Sequence, residues 1–247
     1  MRAAHVLRRL ARRAVPLELR QGLAHARRGR SDRARGIVFG NARGGGEWPV
    51  RVELCQRVMP SAVIEAKLAN LRLGASLVDG SVVEPGGRWS FWHRVGRPST
   101  TRGFVAGRNI VDGRLVRQAG GGLCQLSSLL HHLALLAGLE VDERHAHSLD
   151  IYREDERFTP LGADATVVWG FKDLRLRNPH ATPVCIACRV DGTRLIGQLR
   201  ADASITAREV DFVREPAAPG RVRVWTVVDG AACGETEYEQ RPGLALA

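Results

Sequence analysis

The sequence predicts an α+β fold in which two helices sit within a mainly antiparallel β scaffold. Leu126, Leu129, Leu130, Leu133 and Leu136 recur at spacings of three and four, which marks a helix buried along most of its length. Ile64, Leu68 and Leu71 mark a second helix by the same period. Beyond Gly138 the chain breaks into short apolar or alternating runs punctuated by Gly and Pro, the signature of strands joined by turns.

The chain has 247 residues, 44% of them apolar, with no long Ser, Gln or Pro tract, so a packed core is expected and wholesale disorder is excluded. Its net charge of +11 is concentrated at one end. Residues 1–43 hold twelve Arg against Glu18 and Asp32, while the other 204 residues carry 25 basic and 24 acidic side chains. The high isoelectric point therefore describes an arm, residues 1–46, partly helical or disordered. Guanidinium groups at this density suit an anionic membrane surface, or RNA or DNA as a weaker alternative. A short basic amphipathic helix over Val6 to Leu23 would serve the membrane reading. No stretch approaches 18 consecutive apolar residues, and Arg8, Arg9, Arg12 and Arg13 interrupt any secretory h-region. These features predict a protein in the cytoplasm or peripheral to the inner face of the membrane.

The globular body is expected over 47–234, with 235–247 as a loosely ordered tail. Its first helix follows Ser61 as N-cap and stops near Gly74. From Val78 to Val116, seven or more Gly and Pro interruptions read as strands and loops. Gly120, Gly121 and Gly122 then lead into the second helix, which places Cys124 in its first turn and Gly138 at its end. Strands are expected around 140–152, 163–169, 172–178, 183–190, 193–200, 208–214 and 221–228.

Cys124 carries the chemistry. A thiol at a helix start faces free backbone N–H groups and the positive end of the dipole, which favour the thiolate, and three glycines let a substrate approach the main chain. Gln125 and the N–H groups after the glycine triplet are candidate oxyanion donors. His131 faces the same way as Cys124 but lies roughly 10.5 Å along the axis, too far for direct proton transfer. His145 and His147 share a face of the expected strand, so periodicity does not separate them, and His147 is the candidate base. Asp150 would point to the opposite face, whereas Asp164 opens the next strand and is the candidate orienting carboxylate. By analogy, the order Cys124, His147, Asp164 is similar to the Cys–His–Asp arrangement of transglutaminase-like and papain-like enzymes.

Other constellations are weaker. Cys185 and Cys188 have the spacing of a zinc knuckle but lack a second pair, and on a strand they would face opposite ways. Cys124, His145 and His147 could supply three zinc ligands, although the reading adopted needs no metal and no cofactor. Five cysteines spread through a chain of this size do not form a disulfide framework. Trp89, Phe91 and Trp92 crowd into four residues. Core packing accounts for them, while exposed rings would stack on a sugar or peptide, so Trp89 and Trp92 join Gly120, Gly121 and Gly122 as candidate substrate-binding residues.

Five stretches together resemble the VanW family: Ala69 to Leu73, Pro85 to Trp92, Gly120 to Ser127, Glu143-Arg144 with His147-Ser148, and Gly162 to Val167 with Asp173 to Arg175. The resemblance spans about residues 50–200. It implies a link to glycopeptide resistance and the cell envelope, with peptidoglycan or its precursors as partner. It implies no particular reaction, so a Cys-dependent hydrolase or acyltransferase rests on the residues above. The competing expectation is a non-catalytic peptidoglycan- or glycan-binding module whose basic arm meets a membrane or nucleic acid.

Overall fold

The computed structural model describes residues 15–111 and 114–241. In chain order its elements are α1 (Leu17–Ala34), β1 (Val50–Arg57), α2 (Ile64–Val78), β2 (Ser81–Val83), β3 (Arg88–Ser90), α3 (Phe91–Val95), β4 (Ala106–Val111), β5 (Arg114–Ala119), α4 (Leu123–Leu136), β6 (Glu140–Glu143), β7 (Leu149–Asp150), β8 (Arg175–Arg177), β9 (Val184–Asp191), β10 (Arg194–Arg200), β11 (Val210–Ala218), β12 (Arg221–Val228) and β13 (Ala231–Gln240). The α+β class with mainly antiparallel sheets is as expected.

A four-stranded antiparallel sheet, ordered β1-β10-β9-β2, forms the floor on which α2 and α4 lie. Leu126, Leu129, Leu130 and Leu133 are all buried, in one core with Leu195 and Leu199 of β10. The helix sits close because β10 carries Gly197 beneath it. A Cβ at Gly197 would lie 2.9 Å from Leu129 Cδ2. Gly138, at φ +69°, ends α4, with Leu139 N donating to Ala134 O over 2.8 Å as the chain turns back.

Gly74 was expected to stop the first helix, yet α2 runs through it to Val78. Its role is contact. A Cβ there would meet Leu123 Cδ2 at 2.7 Å and Leu126 Cδ2 at 3.0 Å, so the glycine lets α2 and α4 cross at short range. Ser61 does not cap α2 either, since the N-cap position is Val63.

A second sheet, β11-β12-β13-β7, closes around Leu161, Val222, Val224 and Tyr238. Its strand β13 occupies 231–240, so the expected loose tail is paired as far as Gln240 and residues 242–247 lie outside the described chain. The run Glu235, Glu237 and Glu239 on β13 concealed this strand, because that face is charged and the other offers only Tyr238 as a fully buried side chain.

The expected separation of arm from body at Gly46 fails for the described part of the arm. Asp32 on α1 is buried and accepts both guanidinium nitrogens of Arg175 at 2.9 Å. Arg28 pairs with Glu143, and His25 stacks on Trp169 with centroids 4.9 Å apart. Phe39 and Arg43 add bridges to Arg88 and Ser81. Charge that composition assigns to solvent thus partly neutralises acids of the body. Of the amphipathic segment expected over Val6 to Leu23, residues 6–14 lie outside the described residues, and no described helix is long and apolar enough to cross a membrane.

Candidate active site

Cys124 occupies the first turn of α4, behind a turn formed by Gly120, Gly121 and Gly122. Gly120 and Gly122 take φ values of +86° and +99°, a region closed to most side chains. The buried amide of Asn70 clamps this turn from α2. Its Nδ2 donates to Val105 O and to Gly121 O, both at 3.0 Å, and its Oδ1 accepts from Val105 N at 2.9 Å. Asn70 stands within the sequence stretches quoted above, but nothing in its local pattern marks it as the clamp.

The face of α4 that carries Cys124 also carries Ser127, Ser128 and His131, and these three hold the irregular segment 163–167 against the helix. Ser127 Oγ donates to Ala165 O at 2.6 Å, Ser128 Oγ accepts from Ala165 N at 3.0 Å, and His131 Nδ1 donates to Ala163 O at 2.8 Å. Donation to a carbonyl fixes the neutral tautomer of His131. Burial first, and then the charge of Arg144, pull its pKa down to about 4. His131 is therefore an anchor, in keeping with its distance from the sulfur. His132 packs edge-on against Phe212.

The segment so anchored presents Asp164 to His147. Asp164 Oδ2 accepts from His147 N and from His147 Nδ1, each at 2.7 Å. Its other oxygen accepts from Arg144 at 3.0 Å and from the Tyr238 hydroxyl at 2.5 Å. Burial opposes ionisation of Asp164, but the His147 and Arg144 charges outweigh it and hold the carboxyl well below the usual range. With Nδ1 bound to Asp164, the Nε2 side of the ring is left open, and Cys124 lies near enough that the two groups shift each other's pKa. The thiol also lies 3.7 Å from Val167 O. Burial works against a thiolate here, yet the neighbouring His147 outweighs it and brings the Cys124 pKa below the ordinary thiol value. Burial likewise works against charge on His147, but Asp164 and then Cys124 raise its pKa to about 10. Both shifts act in the direction of a thiolate–imidazolium pair.

Neither His147 nor Asp164 lies on a strand. Residues 144–148 and 164–167 are irregular, and Thr166 N donates to His145 O across them at 2.6 Å. The expected shared face of His145 and His147 accordingly does not exist. His145 turns to Glu143 at 2.9 Å, which removes it from the sulfur and from the three-ligand zinc arrangement. Among the described residues, no group of three or more His, Cys, Asp or Glu is placed to hold a metal ion.

Three other candidates are displaced. Gln125 is buried on the far side of α4, where its Nε2 donates to Arg57 O at 3.0 Å, so its amide ties the helix to β1 instead of meeting an oxyanion. Trp89 and Trp92 are core residues, buried edge-on around Phe91, with Trp92 Nε1 donating to Lys172 O at 2.7 Å. No face of either is free to stack on a ligand. Cys185 and Cys188 point apart, the first toward Gly44 O at 3.1 Å and the second into the core.

Sequence reasoning missed Lys67, Tyr152 and Phe158. Each has no partner along the chain to betray it. In space, Lys67 passes over Gly122 to put its ammonium 5.6 Å from the Phe158 ring centroid, and Phe158 meets the exposed Tyr152 edge-on at 5.7 Å. Lys67 and Tyr152 both feel the charge of Cys124. Burial pulls the Lys67 ammonium down to about 8 against that attraction.

The Asp164–His147 pair makes stability depend on pH in a defined sense. Asp164 has a folded pKa below its unfolded value, so its contribution is in place above about pH 4 and is lost as pH falls further. His147 has a folded pKa above its unfolded value, so its contribution is complete below about pH 6.5 and fades as pH rises toward about 10. The loss of unfolding free energy in Asp164→Asn is expected to be largest at about pH 5–6 and smaller at both ends. Urea unfolding of both proteins at about pH 3, 5.5 and 9.5 measures it, and a difference that grows toward pH 9.5 would contradict the pairing.

A profile for the family described as "VanW like protein" matches residues 66–200. That span holds Lys67, Asn70, Cys124, His147 and Asp164, and ends before Tyr238. Over 157 residues, 61% of the chain, the sequence is 31% identical to "Vancomycin B-type resistance protein VanW" of Enterococcus faecalis. Over 153 residues, 62% of the chain, it is 33% identical to "Uncharacterized protein YoaR" of Bacillus subtilis. The alignments cover 57% and 48% of those two proteins. No solved structure matches the chain.

Proposed function

Because the chain belongs to the VanW family, we propose that it serves the bacterial cell envelope in the setting of glycopeptide resistance, as a cysteine-dependent hydrolase or acyltransferase on peptidoglycan peptides or their precursors. The observation that carries the chemical part is the His147 Nδ1–Asp164 hydrogen bond, set beside a sulfur at the start of a buried helix; the mutual pKa shifts of Cys124 and His147 support it. The resistance setting comes from the name of one relative, and the peptide substrate is our extension of that setting.

In this reaction the Cys124 thiolate attacks an amide or ester carbonyl carbon, forming a C–S bond as the carbonyl π electrons move to oxygen. The oxyanion is met by the Cys124 backbone N–H, because the neighbouring Leu123 and Gln125 amides already donate to Gly120 O and Gly122 O. Collapse breaks the bond to the leaving group, which takes the proton from His147 Nε2. Water or an acceptor amine then attacks the thioester, gives its proton to His147, and frees the Cys124 thiolate. Asp164 keeps the ring oriented and its charge offset throughout. The glycine turn and the Lys67–Tyr152–Phe158 rim form the approach to the sulfur. The non-catalytic binding reading loses its support with Trp89 and Trp92 in the core.

The docked α1 adds a position for this chemistry. Its inner side is committed to the body through His25, Arg28 and Asp32, while Leu19, Leu23, Arg27 and Arg30 remain exposed on the outside. An apolar and cationic helix face suits an anionic membrane surface, and a peripheral site at the inner face would meet lipid-linked precursors.

The test uses the purified full chain and a synthetic stem peptide. Intact-mass analysis is expected to find the acyl part of the peptide on Cys124 and no adduct on Cys124→Ala. Peptide turnover that survives Cys124→Ala undiminished would reject the cysteine mechanism.

A further inference from the structure

We propose that Lys67 is the carboxylate-binding group of this site, so that the acyl donor is a peptide or depsipeptide cleaved beside its own C-terminal carboxylate. The inference rests on the cysteine-acylation reading and narrows it to one substrate class.

Lys67 projects from α2 across the start of α4. A Cβ on Gly122 would fall 2.7 Å from Lys67 Cγ and 3.6 Å from both Cδ and Cε, so the stem lies along the bare backbone of the turn that precedes Cys124. The missing side chain at Gly122 is what opens this path. Beyond it the ammonium rests near Phe158, in a rim completed by Tyr152.

Among the described residues, no carboxylate lies within ion-pair distance of Lys67. The acids on this side are engaged elsewhere: Arg157 binds Asp150 at 2.8 Å and Glu154 at 2.9 Å, and Glu156 accepts from Arg153 N at 3.2 Å. A half-buried ammonium without a fixed counter-ion is costly, and in the resting site its compensating charge is the Cys124 thiolate. Acylation removes that negative charge, since the sulfur becomes a neutral thioester. A carboxylate carried by the substrate on the leaving side supplies the missing anion and places the scissile carbonyl over the sulfur. The departing fragment then leaves as an amino acid or hydroxy acid with its carboxylate intact, having taken its proton from His147. A substrate amidated at that end would leave Lys67 uncompensated.

Two alkylating reagents of similar size, one anionic and one neutral, read this directly. The full chain carrying Cys55→Ser and Cys233→Ser, which removes the exposed thiols, is alkylated at about pH 6.5 with iodoacetate and with iodoacetamide. The iodoacetate-to-iodoacetamide rate ratio, divided by that of glutathione, is expected to be about tenfold or more in favour of iodoacetate, as a cation beside the reacting atom steers an anion. Lys67→Met should bring the normalised ratio to about one, and Lys67→Arg should keep most of it. A ratio unchanged by Lys67→Met, or equal loss of both rates, would overturn the assignment, the latter leaving Lys67 only the task of holding the thiolate. The iodoacetamide rate monitors folding and thiolate formation in every variant. Failure of the acylation reading is seen separately, as stem-peptide turnover that survives Cys124→Ala undiminished.

Discussion

His147→Ala is expected to slow alkylation of Cys124 by iodoacetamide at about pH 6 by roughly 10- to 100-fold, measured by mass spectrometry of the Cys124 peptide. The magnitude follows from ionisation. An ordinary thiol with a pKa of about 8.5 is under about 1% thiolate at pH 6, whereas a thiolate paired to an imidazolium is largely formed there. The gain is smaller than the change in ionised fraction, because a less basic thiolate is also a weaker nucleophile. Two further arms separate charge from packing. Asp164→Asn should lower the rate while leaving the sulfur equally accessible, since it withdraws the anion that holds the imidazolium. His145→Ala should change little, because that ring faces Glu143. Equal rates in wild type and His147→Ala would mean that the helix start alone sets the thiol, and the general base would have to be sought elsewhere.

Arg144→Ala is expected to lower the unfolding free energy by about 3 kcal/mol or more, seen as a fall in Tm of roughly 6–12 °C. Arg144 is nearly buried and is the knot between two parts of the fold. Its guanidinium donates to Asp164 O, Gly162 O, Thr236 Oγ1, the Tyr238 hydroxyl and Asp164 Oδ1. Removing it leaves two carbonyls and a carboxylate oxygen short of donors in a region of little water. Lys should not rescue it, because one ammonium cannot span acceptors arrayed around a planar fork. A loss under about 1 kcal/mol would imply that water replaces the guanidinium without cost, and that the second sheet is only loosely joined to the site.

Much of this site was legible because one element is strongly periodic. The leucine spacing of α4 fixes which residues face the core, and the glycines before it fix where the helix begins, so the placement of Cys124 follows from the sequence alone. Choosing Asp164 over Asp150 also agrees with the contacts, though for a different reason. The expected pair of strands does not form, and the two residues meet because side chains of α4 and Arg144 bind irregular backbone. Such anchoring has no period, which is why Asn70, Ser127, Ser128 and Arg144 leave no trace in the pattern. Gln125 was misread for a related reason: adjacency to Cys124 in sequence is a turn of 100° on a helix, enough to send its amide to β1. Trp89 and Trp92 show the opposite error, in which large rings in a glycine-rich neighbourhood suggested a surface and the fold spent them on the core.

Tyr238 shares one carboxylate with His147, yet it stands on the last described strand, beyond the stretch by which relatives are detected. The hairpin of β12 and β13 is therefore a splint for His147 as well as a flank of the molecule. Clipping the chain at its Asp229-Gly230 bend, or binding a partner along its outer edge, would be felt at the sulfur as a slackened imidazole. A gene trimmed to the detectable homology would keep Cys124, His147 and Asp164 while losing a hydroxyl and a threonine that help hold Asp164 and Arg144 in place.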